Sequence, residues 1–95
     1  MAKYRKKPVV IEAFKYDGDL INSKGEYYAP EWAEVACKYG TLYFYEFEGK
    51  PGELFIKTLG GNHHVSVGDY VIKGVQEEIY PCKPDIFKKT YEIVE

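Results

Sequence analysis

The segment Tyr80-Pro-Cys-Lys-Pro-Asp85 sets a cysteine between two prolines, beside a lysine and just ahead of an aspartate. A thiol at a helix entrance with a cation next to it can ionise below its ordinary value and act as a nucleophile. Cys82, with Lys83 beside it, is therefore the first candidate for catalysis. A catalytic cysteine also needs a base, usually histidine, and a group that orients the base. The chain offers His63 and His64, and strand pairing would have to bring one of them near. Every residue type in the segment also has a structural use. Pro81 is expected to end strand pairing, Pro84 to open a helix at its first turn, Asp85 to suit the helix's positive end, and Ile86 and Phe87 to fill the core. The second reading explains more residues, so Cys82 is expected to pack rather than react.

Other constellations are weaker. His63 and His64 are adjacent, and neighbours on a strand point to opposite faces, so they cannot share one metal ion. No spaced set of cysteines and histidines suggests a zinc site. The carboxylate pairs Asp17/Asp19 and Glu77/Glu78 lie in turn-like contexts without an acid–base partner. Gly60-Gly61-Asn62 lacks the lysine and helix of a phosphate-binding loop. No cofactor is implied.

The elements that would position these groups follow from residue patterning. Residues 9–16 read as a strand and residues 20–28 as a loop. Residues 30–38 read as a helix with Trp32, Val35 and Ala36 on one apolar stripe and Gly40 as its stop. From Thr41 the period becomes two. Strands are expected over residues 41–48, 53–58, 63–67, 70–75 and 78–82, separated by glycine-rich turns. A second short helix spans residues 84–89, and residues 91–95 form a tail that can pair at an edge. The expected class is α+β: one small domain with a mainly antiparallel meander, curled towards a barrel, and two short helices on one face.

Bulk properties narrow the roles. Ninety-five residues make a single domain near the lower size limit for a self-sufficient core. Aromatic residues make up 17% of the chain, ten of them tyrosine, enough large rings to build such a core without disulfides or metal. The formal charge of −2 argues against a general nucleic-acid binder. Lys3, Arg5, Lys6 and Lys7 crowd the first seven residues, leaving the remainder acidic. They form either a solvated terminus or a contact for phosphate or an acidic partner. Val9-Val10-Ile11 is too short for a secretory signal, and no apolar run could span a bilayer, so a cytoplasmic location with reduced cysteines is expected.

Binding remains the strongest class. In residues 41–48, Tyr43, Tyr45 and Phe47 share one face while Leu42 and Phe44 share the other. One face can join the core; the second needs cover from the curled sheet, a second copy of the chain in a homodimer, or a ligand.

Two segments carry a resemblance. Tyr4-Arg-Lys-Lys-Pro-Val-Val-Ile-Glu-Ala-Phe-Lys-Tyr16 resembles the opening of small uncharacterised proteins encoded by temperate phages and prophages, chiefly of Gram-positive bacteria. Val67-Gly-Asp-Tyr-Val-Ile-Lys-Gly-Val75, with Tyr80-Pro-Cys-Lys-Pro-Asp-Ile-Phe87 and Tyr91-Glu-Ile-Val94, resembles their closing signature. Val67 and Glu77 stand where that family usually has proline and glycine. The resemblance implies a phage origin and the host cytoplasm, and it supplies no reaction. The expected function is a non-enzymatic accessory protein that binds a host protein or a small phosphorylated signalling molecule, with an anti-defence or host-modulating role. Aromatics would stack on a base, and Lys3, Arg5, Lys6, Lys7 or Lys73 would meet phosphates. The alternatives are a nucleic-acid-contacting module, through aromatic strands that stack bases, and an enzyme dependent on Cys82.

Overall fold

The computed structural model describes residues 2–5, 7–46, 48–49 and 52–94. The elements run β1 (Glu12–Lys15), α1 (Glu31–Lys38), β2 (Leu42–Tyr45), β3 (Glu53–Thr58), β4 (Gly61–Val65), β5 (Tyr70–Lys73), β6 (Ile79–Cys82) and α2 (Pro84–Thr90). The protein is a small α+β domain with antiparallel sheets. The strands do not form one meander. They divide into a sheet of order β1-β5-β6 and a sheet of order β2-β3-β4, with β6 lying beside β3 and β4 where the two approach.

The core fills the space between the sheets. Leu42, Leu54, Ile56 and Val65 come from one sheet, Val71 from the other, and Tyr16 and Leu20 from the chain leaving β1. Helix α1 contributes Ala33 and Ala36, both buried. The expected stripe is therefore rotated. Trp32 is half-buried against Phe14, with ring centroids 5.4 Å apart, and Val35 points outward. Two alanines let the helix backbone come close to β2, and that close approach decides which face turns inward.

Several boundaries differ from those expected. Residues 9–11 carry strand-forming side chains but are unpaired, because their neighbour β5 ends at Lys73, opposite Glu12. Pro81 does not end strand pairing; it sits inside β6, opposite Val71. The Gly74 N–H donates to the Glu78 carbonyl at 2.8 Å, so even-numbered residues of β5 bond to β6 and Val71 does not. The missing N–H of Pro81 consequently falls on the outer edge of the ladder, where it costs nothing. Residues 91–94 form no strand.

The two helices do not share a face. Tyr70 points to the opposite side of β5 from Val71, and its ring stacks on Phe87 of α2 at 3.8 Å. Ile86 is exposed rather than buried, and α2 buries no residue fully. The helix is held instead by the Tyr70–Phe87–Tyr91 ring series and a 3.2 Å hydrogen bond between the Tyr80 and Tyr91 hydroxyls.

Asp69 joins the parts. It is 3% exposed, and its Oδ2 accepts the Ser66 N–H at 3.0 Å. Both carboxylate oxygens accept hydrogen bonds from Lys83 Nζ, at 3.2 and 3.0 Å, and the Asp69 carbonyl accepts the Tyr16 N–H at 2.8 Å. One residue thus ties the end of β4 to β1, β5 and the chain leaving β6. Gly68, with φ of 97°, supplies the left-handed step that the Ser66–Asp69 turn requires.

The β5–β6 turn contains a strained residue. Glu77 has φ of 64°, in the left-handed region that glycine enters freely. Relief of that strain exceeds the extra freedom glycine gives the unfolded chain, so Glu77→Gly should stabilise the fold by about 0.5–1 kcal/mol. Thermal unfolding should show a midpoint a few degrees higher; a lower midpoint would contradict this account of the turn.

Candidate functional site

A broad groove of about 1420 Å³ runs between α1, the β1–β5 pair and the tip of the β3–β4 hairpin. Its apolar wall is formed by Trp32 and Val35 from the helix, by Tyr39 at the helix's C-terminal cap and by Leu59 from the hairpin. Thr58 pairs with Gly61, leaving Leu59-Gly60 as a two-residue loop. The Thr58 hydroxyl accepts the Gly60 N–H at 3.2 Å and donates to the Gly61 carbonyl at 2.8 Å, which fixes the tip. That closure leaves Leu59 fully exposed, and Tyr39 is 84% exposed.

The charged lining is mainly acidic: Glu12, Glu31, Glu77 and Glu78 against Lys57 and Lys73. Lys73, expected to meet a phosphate, lies here, but its Nζ is 3.1 Å from Glu12 Oε2 on the strand directly opposite. An anion entering the groove would have to compete with that carboxylate.

The other expected binding residues lie elsewhere. Tyr43 faces Phe55, which faces His64, in one row across β2, β3 and β4 on the side away from the core. Tyr43 stacks on Phe55 at 5.7 Å and Tyr45 meets the same ring edge-on at 6.4 Å. His64 leans on Phe55 at 5.2 Å and places Nε2 3.3 Å from Glu53 Oε2. These rings cover one another, which meets part of the need for cover. Lys73 and the Tyr43–Tyr45 pair thus belong to different sheets and do not converge. Phe44 does not follow Leu42 into the core; it is partly exposed and touches Tyr16 at 6.5 Å. Lys3, Arg5 and Lys7 are exposed on the chain ahead of β1 and line neither this groove nor the cleft beside Tyr45 and His64. Lys6 and Phe47 fall outside the described residues.

Cys82 is half-buried, and its thiol donates to the Lys83 carbonyl at 3.6 Å. Burial, followed by the charges of Asp69 and Asp85, pushes the thiol above its ordinary value. Lys83 gives it no activation, because its ammonium is bound to Asp69. Cys37 is also shifted upward, by burial and then by Glu34. Both cysteines are free thiols. Among the described residues, no three His, Cys, Asp or Glu side chains gather as a metal site, and no helix is long and apolar enough to cross a membrane.

Leu59 and Tyr39 were not singled out from the sequence as binding residues. A leucine between threonine and two glycines was the visible signal, since an apolar residue at a hairpin tip has no core to enter.

A raised thiol value means that ionisation disfavours the fold. Its contribution is complete below the unfolded-state thiol value and is lost as pH rises through the folded one. Iodoacetamide should therefore modify Cys82 at neutral pH no faster than it modifies an unstructured cysteine peptide, with the rate still rising beyond the ordinary thiol range. Rapid, pH-independent labelling near neutrality, read by peptide mapping, would mark an activated thiolate instead.

Comparison with known proteins finds no matching family model, no matching curated protein and no matching solved structure.

Proposed function

We propose that this protein is a non-enzymatic, phage-encoded binding protein that acts in the host cytoplasm and engages a host protein through the groove beside α1. The observation that carries this reading is the collection of exposed apolar side chains in one groove: Leu59, Tyr39 and Val35, next to half-buried Trp32. Apolar side chains rimmed by charge suit a protein partner. The excess of carboxylates favours a partner segment that combines apolar with basic residues. The same excess, with Lys73 held by Glu12, weighs against the small phosphorylated ligand. The phage origin rests on the resemblance at both ends of the chain, and a host-modulating or anti-defence role is the use such a binder would have.

Trp32 is the lone tryptophan and lines the groove, so its emission reports occupancy. Titration with short peptides carrying alternating Leu/Ile and Lys/Arg should shift that emission saturably, whereas nucleoside triphosphates should leave it unchanged. Leu59→Glu should weaken peptide binding at least tenfold while leaving the unfolding midpoint in place, because Leu59 is fully exposed. Saturable binding of the nucleotide but not the peptide would overturn the protein-partner reading.

A further inference from the structure

The cleft beside Tyr45 and His64 has a volume of about 920 Å³ and shares no lining residue with the groove beside α1. It opens where Glu53 begins β3, Val65 ends β4 and the chain leaving β1 passes at Tyr16. Its walls are aromatic: Tyr45, Phe55 and His64 from one sheet, and Tyr16 from the chain leaving the other. Tyr45 meets Phe55 edge-on and His64 is tilted 53° to the same ring, so the walls stand in different planes.

Tyr16 is the member that the fold does not explain. It is 3% exposed, yet its hydroxyl has no hydrogen-bond partner among the described residues. A hydroxyl in a buried residue ordinarily finds one. The Tyr16 oxygen is not sealed in, because no fully buried side-chain oxygen or nitrogen among the described residues lacks a partner. Tyr16 lines the cleft, and the oxygen is open there. Its surroundings are anionic. Burial first, and then the charges of Asp19, Asp17 and Glu53, push the hydroxyl up to about 12. Glu53 lines the same cleft with its side chain 65% exposed, and its one ion-pair partner among the described residues is His64 Nε2 at 3.3 Å. No lysine or arginine stands among the described residues of the lining. One carboxylate and one imidazole are too few donors for a metal ion.

We propose that this cleft binds a guanidinium group, which lies against the aromatic wall and donates hydrogen bonds to the Glu53 carboxylate and the Tyr16 hydroxyl oxygen. A guanidinium is flat, weakly hydrated and always charged, and it carries five donors and no acceptor. Those properties match a cleft that offers rings and open acceptors with no competing cation. A quaternary ammonium would suit the rings but leave both oxygens without a donor. A primary ammonium would suit the oxygens, but it is compact, strongly hydrated and has no flat face to lay on a ring. The group can arrive on the arginine side chain of a peptide or as a free small guanidine.

Titration of the isotope-labelled full chain with methylguanidinium, followed through backbone amide chemical shifts, tests the site. Shifts at Tyr16, Glu53, Phe55, His64 and Ser66 should saturate, while those of Trp32 and Leu59 stay in place. Tetramethylammonium at equal ionic strength should bind about tenfold more weakly, and Glu53→Gln should raise the methylguanidinium Kd about tenfold. Tyr16→Phe keeps the ring and deletes only the unpartnered hydroxyl, so it should raise the Kd about fivefold without lowering the thermal unfolding midpoint. The inference is overturned by shifts that do not saturate, by tetramethylammonium binding as well as methylguanidinium does, or by either variant binding as the wild type does. Tighter binding of an end-blocked Gly-Arg-Gly tripeptide would support the site and assign the group to a protein side chain; weaker binding would support it and assign a free guanidine. Leu59→Glu should leave methylguanidinium binding unaffected, so the groove reading and this one can fail separately.

Discussion

A carboxylate buried at the point where the chain passes from one sheet to the other constrains the whole fold. Asp69 cannot remain charged there without compensation, since an isolated buried ion costs several kcal/mol or more. Two groups supply that compensation from different parts of the chain, the Ser66 N–H at the end of β4 and the Lys83 ammonium beyond β6, while the Tyr16 N–H leaving β1 separately holds the same residue's backbone carbonyl. Satisfying the carboxylate thereby fixes the end of β4 and the chain beyond β6 against the start of β5, and the backbone bond adds the end of β1. The groove depends on this, because its walls come from both sheets and from α1. Lys83 remains more than half exposed, so the pair is partly wet and its attraction partly screened.

Once Lys83 is held by Asp69, the chemistry that Tyr80-Pro-Cys-Lys-Pro-Asp85 suggests is removed. Lys83 follows Cys82 in sequence, but its ammonium reaches back fourteen residues to the buried aspartate. What stays beside the thiol is burial and negative charge, and both favour the protonated form. The surfaces left open are of two physical kinds. One is a groove with unsatisfied apolar area and an acidic rim; the other is a ring-walled cleft with an unpartnered hydroxyl. Both suit binding, by side-chain burial in the first case and by hydrogen bonds from a cation in the second.

The sequence made local structure legible and long-range partnership much less so. Glycine-rich turns and period-two alternation located most strands of the second half, and Pro84 marked the start of α2. The partition into two sheets was not visible, because β1 pairs with β5 across the whole intervening chain and no local pattern encodes that choice. Hydrophobicity alone placed Val35 inward, whereas the close approach of Ala33 and Ala36 to β2 turned it out. The alternation in residues 41–48 did identify two faces; the ring cluster on the outer one required the register with Phe55 and His64. Lys73 was visible as a cation in a strand, but its opposition to Glu12 was not. Glu77 is the converse case: the resemblance to phage proteins marked it as a departure from glycine, and the backbone there is left-handed.

The coupling between Asp69 and Lys83 is the interaction on which the arrangement of the two sheets depends. A double-mutant cycle of Asp69→Asn, Lys83→Met and the two together, followed by urea unfolding, measures it directly. Dependence of the two sheets on this pair predicts a coupling energy of at least about 1 kcal/mol, with Asp69→Asn the more damaging single change. Effects that add to within about 0.3–0.5 kcal/mol would show that the two residues act independently and would contradict the account.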